Sequence, residues 1–179
     1  MDVYEAMKSR KTTFSFSDKP LKEEIIIKLL DAARLAPGAG AVHEVEFIVV
    51  TEQQKKDELS RICITPRINS APFIIVVLCD PRKLRNAFAE EGDVFCIENA
   101  SLAIENIILY ATELEIGNAW IATIQQEEVK RLLQIPEDYI VRGIIPLGYP
   151  AKDGTVTSPN ILPRLQEITH VESFNNKAV

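Results

Sequence analysis

The sequence predicts one α+β domain built in three layers, and three observations carry that expectation. Helical and strand-like segments interleave along the chain, with no internal repeat, low-complexity tract or interdomain linker. The run Phe73–Cys79 is apolar at every position, as a strand covered on both faces must be. One long stretch, Val94–Glu115, is apolar nearly all round at helical spacing, through Ile97, Ala100, Leu102, Ala103, Ile104, Ile107, Ile108 and Ala111. Such a helix is either buried or lies at a subunit interface.

Taken in order, Val3–Lys8 reads as a short helix leading into a basic, hydroxyl-rich loop, Ser9–Ser17. Pro20 suits a first helical turn. Ile26, Leu29, Leu30 and Ala33 then share one face of a helix over Lys22–Ala36, which Pro37-Gly38-Ala39-Gly40 stops. Val45–Thr51 is rich in β-branched residues and reads as a strand. Thr51-Glu52-Gln53-Gln54 fits a capping box for a helix running to about Ile62. After the central strand, Asp80-Pro81 caps another short helix. Gly117 ends the long helix, Ala119–Thr123 reads as a short strand, and Glu127–Gln134 as a short helix stopped near Pro136. Arg142–Leu147 is the last apolar strand. From Pro150 the chain is rich in proline and polar residues as far as Leu165–Val171, and residues 150–179 suit an extension packed on a partner subunit.

Of the 179 residues, 46% are hydrophobic and 26% charged, which is the balance of a chain with a packed core. The net charge of −6 argues against a general affinity for nucleic acid, because phosphate binding needs a basic face. Cys63, Cys79 and Cys96 form no C-x-x-C pair, so neither a disulfide framework nor a zinc site is expected, and buried thiols in a reducing compartment are. The amphipathic N-terminus lacks the apolar core of a signal peptide, and the clean apolar run Phe73–Cys79 is too short to span a bilayer. These features predict a cytoplasmic protein with no membrane partner.

Three segments are candidates for binding. Gly38-Ala39-Gly40-Ala41-Val42-His43 begins like a dinucleotide fingerprint, but it lacks the third glycine and follows a helix instead of a strand, which excludes a Rossmann phosphate loop. Its glycines can cap the helix, and they can also leave bare backbone against a flat ligand. Ser9-Arg10-Lys11-Thr12-Thr13 offers a guanidinium fork, a point charge and two hydroxyls to an anion, although basic pairs are also common on surfaces. Gly117-Asn118-Ala119-Trp120-Ile121-Ala122-Thr123 sets small residues around one tryptophan, as core packing does and as a strand end facing a ring also does. His43 and His170 lie in no triad pattern and read as non-catalytic.

Together these segments resemble the nitroreductase family. Ser9-Arg10-Lys11-Thr12 is similar to its opening Arg-Arg-Ser motif, and Phe16-Ser17-Asp18-Lys19-Pro20 follows at the usual interval. Ala33-Arg34-Leu35-Ala36-Pro37-Gly38-Ala39-Gly40 resembles its AARxAPSAGN segment, and Glu46-Phe47-Ile48-Val49-Val50 the strand after it. Ala71-Pro72 stands before an apolar strand as in the family. Glu105-Asn106-Ile107-Ile108-Leu109-Tyr110-Ala111, Ile116-Gly117 and Trp120-Ile121 resemble its QNLLLAA…LGxxxW helix and strand, and Ile145-Pro146-Leu147-Gly148-Tyr149-Pro150 its PLGYP ending. The order is kept over nearly the whole chain.

The resemblance implies a homodimeric sandwich with a mixed, mainly antiparallel sheet, FMN at the subunit interface, and NADH or NADPH as co-substrate. It maps the phosphate site onto Arg10, Lys11 and Thr12, with Arg164 as a further cation in the tail. It maps ring contacts from the other subunit onto the loop of Pro37, Gly38, Ala39 and Ala41, and backbone donors near flavin N5 onto Ala122 and Thr123. Hydride would pass from NAD(P)H through N5 to a small acceptor such as a nitro compound or quinone, with no catalytic side chain required. Two alternatives stay open: a specialised flavin enzyme that fragments flavin, dehalogenates or dehydrogenates, and a non-catalytic flavin-binding protein. The chain departs from the pattern at Phe14 (a basic residue), Gly38 (Ser), Ala41 (Asn), His43-Glu44-Val45 (Gln-Pro-Trp) and Asn99 (an acidic residue, with Glu98 beside it). Losing a neutral hydrogen bond to the ring costs about 0.5–1.5 kcal/mol, and losing a charged phosphate contact about 1.5–3 kcal/mol.

Overall fold

Strand β3, Phe73–Cys79, is buried along almost its whole length because both of its faces are covered. Ile75, Val77 and Cys79 point into one hydrophobic cluster, and Ile74, Val76 and Leu78 into another. This period of two is what a strand between two helical layers produces. In the computed structural model, which describes residues 1–63, 67–152, 154–156 and 162–177, the first cluster joins the sheet to α2 (Glu23–Arg34), α4 (Pro81–Phe88) and α5 (Glu91–Glu113). The second joins it to α3 (Gln53–Ile62) and α6 (Gln126–Leu133). The expected three-layer α+β sandwich is therefore present.

Among the described residues the sheet has six strands. Besides β3 they are β1 (Thr12–Thr13), β2 (Val45–Val50), β4 (Gly117–Asn118), β5 (Ile140–Gly148) and β6 (Thr155–Val156), in the order β2-β3-β5-β4-β1-β6. All pairings are antiparallel except β1 with β4. Two short helices lie outside these layers, α1 (Val3–Ser9) and α7 (Leu165–Ile168).

Several local expectations need correction. Pro20 stands before α2, whose cap is Lys22, so it lies outside the first turn. No capping box forms at α3, where Glu52 takes the cap position without a side-chain bond. The long helix ends at Glu113, and Glu115, not Gly117, takes the left-handed turn at φ 58°. Gly117 is needed for another reason: a Cβ there would lie 2.9 Å from Thr13 Cγ2 and 3.0 Å from Pro150 Cγ. Gly38 and Gly40 do not cap α2 either; Leu35 does, in ordinary helical geometry. The strand expected over Ala119–Thr123 is displaced to Gly117–Asn118, leaving only a single bridge from Ile121 to Ile144.

Helix α5 is long and apolar enough, by length and composition, to cross a membrane. Cys96, Ala100, Ala103, Ile104, Ile107 and Ala111 instead bury one face against the sheet and α2. The opposite face leaves Val94, Ile97 and Leu102 exposed. Cys63, Cys79 and Cys96 are all buried, and burial pushes the Cys63 thiol up to about 11.

Asp80 starts α4, accepting from Arg82 N at 3.1 Å and from its guanidinium at 2.8 and 2.9 Å. The guanidinium holds the Asp80 carboxyl below its usual range. This contribution is complete above the unfolded-state value of about 3.9 and fades as pH falls through the lowered folded value. Asp80→Asn should therefore reduce stability to urea at pH 7, with the gap from wild type closing as both proteins are titrated below about pH 4.

Candidate functional site

The opening loop is held in place by backbone pairing. Helix α1 is capped by Asp2, whose Oδ1 accepts from Glu5 N at 2.8 Å, and it ends at Arg10. The chain then turns into β1, where Thr12 pairs with Asn118 of β4 on one side and Val156 of β6 on the other. Arg10 is half-buried, its Nη1 3.5 Å from Thr12 Oγ1, while Lys11 is exposed. Thr13 is buried. Phe14, which stands where a third cation was expected, packs against the second core cluster, and its N–H donates to Gly154 O.

Sheet pairing thus brings two of the sequence candidates together. Immediately beyond β4 and the Ile121 bridge, Ala122 and Thr123 are exposed, and their N–H groups donate to no other described residue. Asn118 is a residue the sequence reading did not single out. It is 2% exposed, its Nδ2 donates to Ile116 O at 3.1 Å, and its Oδ1 has no donor among the described residues. Leaving such an acceptor unmet costs about 1–3 kcal/mol. The adjoining strands β4 and β1 therefore carry two cations and the Thr12 hydroxyl at the start of β1 and bare N–H donors beyond β4. That set suits a polar ligand carrying both an anionic group and hydrogen-bonding edges.

Arg67 was also missed. It has φ 75° and begins the 3₁₀ turn Ile68–Ser70. Ser70 Oγ donates to Arg67 O at 2.6 Å and accepts from Phe16 N at 3.0 Å, stitching this exposed cation to the segment after β1. No sequence signal marks it, because the link spans 54 residues.

The glycine loop lies elsewhere. Pro37, Gly38 and Gly40 are exposed; Ala39–Ala41 form a 3₁₀ turn with Gly40 at φ 66°. The loop leads into β2, four strand steps from β1, roughly 19 Å at the usual strand spacing. It touches Asn99 near the start of α5, whereas α1 lines a cleft with Leu109, Tyr110 and Glu113 near its end. A pocket beside the loop is lined by Arg34, Pro37, Gly38, His43, Glu44 and Asn99 among others. Arg164 is not brought to the opening loop. It is exposed in the tail, its N–H bonded to Glu167 Oε2 at 3.2 Å. His43 is exposed, and His170 accepts from Asn175 N in the tail, so neither enters a catalytic cluster.

Comparison with known proteins agrees with this architecture. The nitroreductase family model matches residues 7–65 and 63–149. A Methanothermobacter thermautotrophicus protein named "Putative NADH dehydrogenase/NAD(P)H nitroreductase" is 34% identical over 158 residues, covering 86% of this chain and 80% of that protein. The structure of an FMN-dependent nitroreductase from Clostridium difficile superposes with a TM-score of 0.78 at 28% identity, covering 94% of this chain and 98% of the other. A nitroreductase from B. subtilis has the same fold, with a TM-score of 0.84 at 23% identity over 97% of this chain and 75% of the other.

The contact of Gly117 with Thr13 generates a direct test. Gly117→Ala should wedge β1 from β4 and cost about 1–3 kcal/mol in urea unfolding. Unchanged stability would show that the strands can separate freely.

Proposed function

This chain belongs to the nitroreductase family, and on that premise we propose that it is an FMN-dependent NAD(P)H oxidoreductase that works as a homodimer on a small acceptor such as a nitro compound or quinone. The observation that supports the proposal is the parallel pairing of Thr12 with Asn118, which lays the strand that follows Arg10 and Lys11 next to the strand that runs on to the undonated N–H groups of Ala122 and Thr123. FMN, when bound, supplies at N5 the hydride relay between nicotinamide and acceptor.

In this reading the chain's own residues bind and orient. Arg10 grips the phosphate as a fork and Lys11 as a point charge, with the Thr12 hydroxyl alongside. The backbone N–H groups of Ala122 and Thr123 face the N5 region, where fixed donors favour negative charge. The loop of Pro37, Gly38, Ala39 and Ala41 would receive the ring, and Arg164, away from the opening loop of its own copy, would add a cation from the tail of a second copy. Because the glycine loop leads into β2 and the cation loop into β1, four strand steps apart, a second copy contributing one of them would let one cofactor meet both. Exposed Val94, Ile97 and Leu102 on α5, and Leu162, Leu165, Ile168 and Phe174 in the tail, supply apolar surface for that partner. The phenylalanine at position 14 and the altered glycine loop leave fewer polar contacts than the family pattern has, so weaker FMN binding is expected.

The test is the visible spectrum of the purified protein, before and after anaerobic NADH or NADPH. Flavin bands that bleach, followed by turnover of a nitroaromatic or quinone, support the proposal. Bands that persist favour a specialised or non-catalytic flavoprotein, and no bands after reconstitution with FMN overturn the flavin assignment. Arg10→Ala should weaken FMN binding about ten- to a hundredfold. The remaining affinity should fall further as salt rises, since the phosphate is then held by point charges without the Arg10 fork.

A further inference from the structure

Three departures from the family pattern, at Gly38, Glu44 and Asn99, meet in one buried contact. Glu44 is 1% exposed and Asn99 6%. Asn99 Nδ2 donates to Glu44 Oε1 at 2.5 Å, and Asn99 Oδ1 accepts from Ala39 N at 3.1 Å. A Cβ at Gly38 would lie 3.3 Å from Asn99 Nδ2, so the loop backbone rests directly on this amide. The other end is anchored as well: Glu44 O accepts from Asp80 N at 3.0 Å, at the cap of α4.

We propose that Glu44 and Asn99 are positioning residues that hold the Gly38–Gly40 loop in its ring-receiving shape. The proposal rests on the flavin reading of that loop. Glu44 Oε1 accepts from the Asn99 NH2, which turns the nitrogen of that amide inward. The amide oxygen is then left facing the Ala39 N–H. No cation forms a salt bridge with Glu44 among the described residues, and the Asn99 N–H is the side-chain donor that meets this buried carboxyl group. An acidic residue at position 99, as the family pattern has, would set two carboxylates face to face here. Asparagine at 99 and glutamate at 44 are therefore a matched exchange, and Gly38 removes the side chain that would crowd the pair. Gly40 completes the turn at φ +66°, where a Cβ would meet Phe88 at 2.9 Å.

Two readouts test this: hydrogen exchange at the Ala39 amide in flavin-free protein, and FMN affinity by fluorescence quenching. Asn99→Leu removes the acceptor without changing charge. It should expose the Ala39 amide to exchange and weaken FMN at least about tenfold. Asn99→Asp should do the same by repulsion. Glu44→Gln should stay near wild type, because its carbonyl can still accept from Asn99. The pair Glu44→Gln with Asn99→Asp should restore both readouts, since the amide introduced at position 44 then donates and the carboxylate introduced at position 99 still accepts from Ala39 N. If Asn99→Leu fails to fold, the comparison of Asn99→Asp with the double variant decides alone. Unchanged Ala39 protection and FMN affinity in Asn99→Leu would overturn the proposal, as would failure of the double variant to recover. Loss of Ala39 protection in a protein that binds no FMN even as wild type would uphold the strut while removing the flavin reading.

Discussion

The burial of one face of α5 against the sheet positions every part of the candidate site. Three rungs along this helix each fasten a different segment. Asn99, near its start, holds the glycine loop through Ala39 N. Asn106, two turns later, donates to Ala32 O at 3.0 Å and ties down α2. Ala111 O accepts from Ile116 N at 2.8 Å and launches the chain into β4. The wholly buried Ala100, Ile104, Ile107 and Ala111 lie between these rungs on the sheet side. Each fully buried isoleucine is worth roughly 1.5–3 kcal/mol, so the polar rungs are fixed to a face that cannot rotate cheaply.

The same helix also sets the distance between the two candidate loops. From Asn99 to Tyr110 the helix rises about 16 Å, and the cation loop and the glycine loop sit towards opposite ends of it. The sheet order separates them again in the other direction. The bare apolar side of α5 and the exposed apolar residues of the tail are surfaces of the kind that a second copy covers. Proposed dimerisation and proposed cofactor binding are thus two consequences of one topology.

Close backbone approach is used at specific places, and each has its own cause. Gly117 lets β4 come against Thr13, which joins the opening loop to the strand end. Gly143 makes room for Trp120, whose ring also lies beneath the Arg142 guanidinium at 4.8 Å. Gly148 accepts Pro72, with a virtual Cβ only 2.6 Å from its Cδ. Most of these contacts hold β5 and its neighbours together at the end of the sheet that carries the candidate site.

Local pattern in the sequence was enough for the elements whose neighbours are uniform. The all-apolar run Phe73–Cys79, the one-sided helix ending at Arg34 and the Asp80-Pro81 cap were legible, because period, length and cap chemistry act within a few residues. The family motifs also marked Arg10, Lys11, Ala122 and Thr123 as candidates. The two-residue strands β1, β4 and β6 were not legible, since they are too short to show a period and exist only through pairing with distant strands. Arg67 was missed for the same reason, and Asn118 was named only within a candidate segment: a link from Ser70 to Phe16, or a buried amide oxygen with no donor among the described residues, has no local signature. The sequence by itself determined the layers, the core and the chemical types on offer. Tertiary structure decided which of them meet, because hydrogen bonds across the sheet, not neighbours along the chain, set the cation loop at β1 and the glycine loop at β2, four strand steps apart.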